Sequence, residues 1–99
     1  MDLSNIHLPL GEKHFINASC PYREVLLAAK VNPTKQPLLI KGFAPGTNEW
    51  DGLYLVHCEP PEYHDGWFLE EWVEARYIIG HINLIEKYRR RCDDLRRIL

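Results

Sequence analysis

The sequence predicts a small α+β domain: an antiparallel sheet of two or three strands, one short helix and one long C-terminal helix. Three observations carry that expectation. Two apolar runs, residues 38–43 (LLIKGF) and 53–58 (LYLVHC), flank a loop holding Pro45-Gly46, Asn48 and Asp51-Gly52, the pattern of paired strands and their connection. Ser19-Cys20-Pro21 combines a small polar residue with a proline near a first helical turn, ahead of Val25, Leu26, Ala28 and Ala29. From residue 67 to residue 99 there is no proline, and strong helix formers dominate.

The elements follow in order. With 99 residues the chain forms one domain, 1–99. Residues 1–12, with scattered apolar side chains and Pro9-Leu10-Gly11, read as an extended arm. Residues 13–65 form a strand–helix–hairpin unit: a short strand at 13–18, a helix of about three turns stopped by Asn32-Pro33, then the two paired strands. Pro60-Pro61 ends the second strand, because neither proline can donate to a ladder. Residues 66–99 read as the long helix, with a bend placed at Gly80. The proline-free run 67–99, thirty-three residues if helical throughout, would span about 50 Å, more than a compact domain of this length can flank, so the helix either breaks or projects.

Composition excludes several classes. The chain is 45% hydrophobic and 26% charged, with eleven aromatic residues, which rules out disorder and low complexity. No run approaches the length of a membrane span. Three widely spaced cysteines, Cys20, Cys58 and Cys92, form no even framework, and residues 1–4 (MDLS) lack the pattern of a signal peptide. A cytoplasmic location is the expectation.

The net charge of −2 hides an uneven distribution. Residues 42–75 carry eight carboxylates and no Lys or Arg, together with seven of the eleven aromatics. Residues 87–99 carry six cations and two carboxylates. Aromatic side chains among carboxylates suit a protein interface, where the rings anchor and the charge steers. The expected partner is a protein with a basic surface, such as a nuclease or another nucleic-acid-binding protein. The expected contacts are Glu49, Trp50, Asp51, Glu59, Glu62, Asp65, Glu70, Glu71 and Glu74, with Trp50 exposed at a loop tip. Small stand-alone acidic proteins of this kind include phage-encoded inhibitors of host defence and immunity proteins, an analogy of size and charge only. The C-terminal segment supplies a second expectation, a homodimer or auxiliary contact through Ile85, Tyr88, Arg89, Arg90, Arg91, Leu95 and Leu99. The alternative function is a small nucleic-acid-associated regulator that lays this basic helix along phosphates.

Catalytic chemistry finds little support. Structural zinc wants paired ligand spacing, and the histidines and cysteines lack it; His57, His64 and a carboxylate are the one combination to weigh. Cys20-Pro21-Tyr22 resembles the start of the CPYC site of glutaredoxin-type thioredoxin folds, which would imply a thiolate at a helix start, but residue 23 is Arg. Glu59, Glu62, His64 and Asp65 share one loop without a nucleophile elbow or a phosphate-cradling glycine loop. The expectation is a binding protein with no enzyme activity, cofactor or metal.

Overall fold

The computed structural model describes residues 6–48, 51–61 and 66–98. Its elements are β1 (Lys13–His14), α1 (Tyr22–Ala28), β2 (Leu38–Ala44), β3 (Leu53–Cys58), β4 (Leu69–Glu74), a 3-10 turn (Ala75–Tyr77) and α2 (Ile79–Ile98). The α+β expectation holds, with four strands rather than two or three. All neighbours in the sheet are antiparallel, in the order β1-β2-β3-β4.

The added strand corrects the reading of residues 66–99 as one helix. β4 pairs with β3 over its whole length, from Leu53 opposite Glu74 to Cys58 opposite Leu69. Leu69 and Val73 turn to the core face with Tyr54 and Cys58, and this burial outweighs the helical propensity of Leu and Glu. The helix starts only at Ile79, so Gly80 lies in its first turn and marks no bend. Its role is clearance: a Cβ at Gly80 would fall onto the His14 ring of β1.

One face of the sheet carries the core. Leu38, Ile40, Tyr54, Val56, Cys58 and Val73 are buried there with Leu26 of α1 and Ile78, which precedes α2, and Leu84 of α2 packs against them. β2 reaches this arrangement through a bulge at Lys41. Ile40 is opposite Val56 and Gly42 opposite Leu55, so Phe43 returns to the Tyr54 side at 4.9 Å between ring centroids. The expected arm at 1–12 is tied down where it is described. Leu8 is buried, its N–H donates to Tyr54 Oη at 2.9 Å, and Gly11 N–H donates to the Ile40 carbonyl at 2.8 Å.

α1 ends earlier than the Asn32-Pro33 stop. Val31 N–H donates to the Leu26 carbonyl and Lys30 N–H to that of Leu27, the paired bonds of a Schellman cap. The position that prefers glycine in this motif is Lys30, with φ of 64°. Lys30→Gly is therefore expected to stabilise the fold by about 0.5–1 kcal/mol, read as a raised midpoint in urea at unchanged slope.

α2 is anchored only at its start. Ile78, His81 and Ile85 are buried, whereas Glu86, Lys87, Arg89, Arg90, Arg91, Asp93 and Asp94 are exposed. The far end projects, giving extents of 58 × 21 × 20 Å and a radius of gyration of 15.3 Å, against about 13 Å for a compact chain of this length. Among the described residues no helix is long and apolar enough to cross a membrane.

Candidate protein-binding face

The second face of the sheet is covered by no helix among the described residues. Residues alternate across a strand, so Leu55, His57, Glu70, Trp72 and Glu74 share this face. Trp72 lies opposite Leu55, and a Cβ at Gly42 would meet both of them at 3.3 Å, so glycine lets the indole lie across the neighbouring strands. Even so Trp72 is 46% exposed; Trp67 and Phe68, which lead into β4, are 46% and 51% exposed. Three large aromatics on one edge of the sheet are an unusual expense of apolar surface.

Beside Trp72 sits a polar cluster. His57 Nδ1 donates to Glu70 Oε2 at 2.9 Å, Lys41 Nζ lies 3.5 Å from the same oxygen, and Glu59 approaches His57 Nε2 at 3.4 Å. Phe68 covers the imidazole at 5.2 Å between ring centroids. The His57 hydrogen bond, aided by Lys41, holds the Glu70 carboxyl below its ordinary value, with desolvation opposing. A depressed folded-state pKa adds stability above the ordinary carboxylate pKa, and that stability is lost as pH falls through the pKa of Glu70 itself. His57→Ala is expected to move the Glu70 titration up towards 4.5, observed in carboxyl-resolved NMR; an unmoved titration would assign the shift to Lys41 instead.

The outer edge of β4 borders a groove of about 400 Å³ between it and α1. Glu71, Trp72, Val73 and Glu74 form one wall, and Cys20, Tyr22, Val25 and Tyr77 form much of the other. Cys20 is buried, and burial pushes its thiol up despite hydrogen bonds from the Tyr22 and Arg23 backbone. A reactive thiolate needs the opposite shift. Tyr22 is 8% exposed and its hydroxyl has no hydrogen-bond partner among the described residues. Its pKa is pushed up to about 12, chiefly by burial and further by Cys58 and Glu71.

With this geometry in view, comparison with known proteins adds no family. No protein-family model, curated protein or solved structure matches the chain. Its functional reading rests on its own residues.

Of the contacts expected from sequence, β4 gathers Glu70, Glu71 and Glu74 on one strand. Glu74 meets Arg76 at 3.3 Å and Glu70 meets Lys41 and His57, so this edge is less acidic than the residue count implies. Glu71 has no ion-pair partner among the described residues. Asp51 turns inward on its own loop, where its Oδ2 accepts from Thr47 Oγ1 and from Asn48 Nδ2. Glu59 is exposed at the end of β3. Glu49, Trp50, Glu62 and Asp65 lie outside the described residues, as does His64. Among the described residues no three His, Cys, Asp or Glu side chains gather as a metal site would require.

Of the expected dimer contacts, Ile85 is 1% exposed within its own fold and offers nothing to a second chain. Tyr88 is half-buried, Arg89, Arg90 and Arg91 are exposed, and Arg90 pairs with Glu86 at 3.2 Å. Leu95 is described as helix backbone only, and Leu99 lies outside the described residues. Trp72 and Phe68 belong to the aromatics of the 42–75 segment though not to the expected contacts, His57 enters as a partner of Glu70 rather than as a metal ligand, and Lys41 and Tyr22 lie outside that segment. Of these, His57 lay in the strand read at 53–58, where a buried imidazole calls for a polar partner.

Proposed function

We propose that the protein is a non-catalytic protein-interaction module. Its contact surface is the outer strand β4 with the lead-in Trp67 and Phe68, and its partner carries a basic surface, as nucleic-acid-handling proteins do. The observation that supports this reading is Trp72, about half exposed on an edge strand and set among Glu70, Glu71 and Glu74. Exposed Trp is a preferred anchor of protein interfaces, and carboxylates around it repel phosphates and attract cations. The module would act by occupying the partner's basic site, so that the nucleic acid normally bound there is excluded.

The test uses the full chain as bait, with Trp72→Ala and Glu71→Lys as parallel baits. A basic protein retained by the wild-type chain and lost from both variants is the expected result. Retention unchanged by both variants would remove β4 from the interface.

A second reading draws on the exposed Arg89, Arg90 and Arg91 of the projecting helix, which could follow a phosphate backbone. It requires duplex DNA binding that survives about 0.15 M salt and disappears when the three arginines become alanine. That outcome would replace the first reading.

A further inference from the structure

The outer edge of β4 has a geometry that side-chain docking alone does not use. Ala75 N–H donates to the Gly52 carbonyl at 2.8 Å, and the β3–β4 register continues without a shift. Hydrogen-bonded pairs alternate along an antiparallel ladder, so the backbone N–H and C=O groups of Glu70, Trp72 and Glu74 point away from β3. No strand among the described residues pairs with them. β4 contains no proline, lysine or bulge, and the charges it carries are all carboxylates, with Glu71 on the core side. The groove alongside it is walled by the same stretch of β4 and by α1, and is lined by Tyr22, whose buried hydroxyl has no partner among the described residues.

We propose that this groove takes an extended, lysine- or arginine-bearing segment of the partner as a fifth strand of the sheet. The inference rests on the reading of β4 as the contact surface and specifies how that surface is used. Main-chain bonds to Glu70, Trp72 and Glu74 supply the pairing, and alternate side chains of the added strand face Tyr22 and Val25 in the groove. Charge selects the occupant. Glu71 shares the core side of the strand with Val73 and has no ion-pair partner among the described residues, so a wholly apolar strand would bury its carboxylate uncompensated. A cation next to Glu71 removes that penalty. A second copy of this chain is a poor occupant, since antiparallel pairing about Trp72 sets Glu70 of each chain opposite Glu74 of the other.

The probe is a capped octapeptide of alternating lysine and valine, titrated into the isotope-labelled full chain. The expected result is protection and chemical-shift change at the Glu70, Trp72 and Glu74 amides, with binding at least tenfold weaker when alternate peptide nitrogens are methylated. Glu74→Pro gives the matching change in the protein. Glu74 has φ of −56°, which proline adopts, and the substitution removes an outward N–H from an edge strand that tolerates it. At least tenfold weaker binding is expected relative to Glu74→Ala. Equal binding by the methylated peptide, or by Glu74→Pro and Glu74→Ala, overturns strand addition and leaves the contact-surface reading intact. Equal binding of a glutamate–valine peptide overturns the cation requirement. Loss of edge-amide exchange with rising protein concentration, without peptide, makes a second copy the occupant and overturns the proposal. No binding of the lysine–valine peptide overturns it too.

Discussion

Tyr54→Phe is expected to destabilise the fold by about 3 kcal/mol, a large part of what holds a domain of this size together. The Tyr54 side chain is fully buried, and its hydroxyl joins three separate parts of the chain. It accepts from Leu8 N–H of the N-terminal segment at 2.9 Å, and its own proton is directed at His81 Nδ1 of α2, 2.8 Å away. Burial pushes the phenol up to about 12, so it keeps this proton across the working pH range. Phenylalanine fills nearly the same volume but leaves one backbone donor and one ring nitrogen buried without that oxygen. Each such group costs about 1–3 kcal/mol. The melting temperature should fall by roughly 12–24 °C, since about 1 kcal/mol corresponds to 4–8 °C in a domain of up to 100 residues. His81→Leu in the wild-type and Tyr54→Phe backgrounds completes a double-mutant cycle that measures the coupling between the hydroxyl and His81. A loss below about 1 kcal/mol for Tyr54→Phe would show that water takes the place of the hydroxyl.

Trp72→Ala is expected to weaken partner binding by on the order of 30-fold or more while leaving the fold in place. The indole is 46% exposed and rests on Leu55 and the open side of Gly42, so its removal uncovers surface but opens no interior cavity. The direct comparison is Val73→Ala on the same strand. Val73 is 4% exposed in the core, and its truncation should lower stability with little direct effect on the contact surface. Calorimetric binding and urea unfolding on both variants separate the two effects. Equal binding losses for the two would mean that Trp72 acts through the fold, and the surface would lose its anchor.

The readable parts of the chain were those with strong local signals. The strand at 53–58 matches β3, and 38–43 falls one residue short of β2, because apolar β-formers end at turn residues on both sides. The helix after Ser19 exists but begins at Tyr22, and its end is set by a Schellman cap on Lys30, a residue with no left-handed signature in sequence. β4 was hidden by its own composition. Leu69-Glu70-Glu71-Trp72-Val73-Glu74 places Glu71 on the core side and Trp72 on the open side, which breaks the apolar–polar alternation by which a half-buried strand is recognised. What makes it a strand is distant: Glu70 finds His57, and Val73 finds Tyr54. The acidic, aromatic character of the site was visible in composition. The pairing of Glu70 and Glu74 with cations of the same chain was not, because charge counts along a sequence carry no contacts.

The projecting half of α2 also governs how the protein behaves in flow. At 58 Å long and 20–21 Å across, the molecule is nearly three times as long as it is wide. A rod-like particle sweeps out more solvent as it tumbles than a sphere of equal mass, so it leaves a sizing column early and rotates slowly about its short axes. A single 11.7 kDa chain therefore mimics a heavier species by elution volume and by rotational correlation time. Light scattering, which weighs the particle regardless of its outline, is the measurement by which one chain and two chains are told apart.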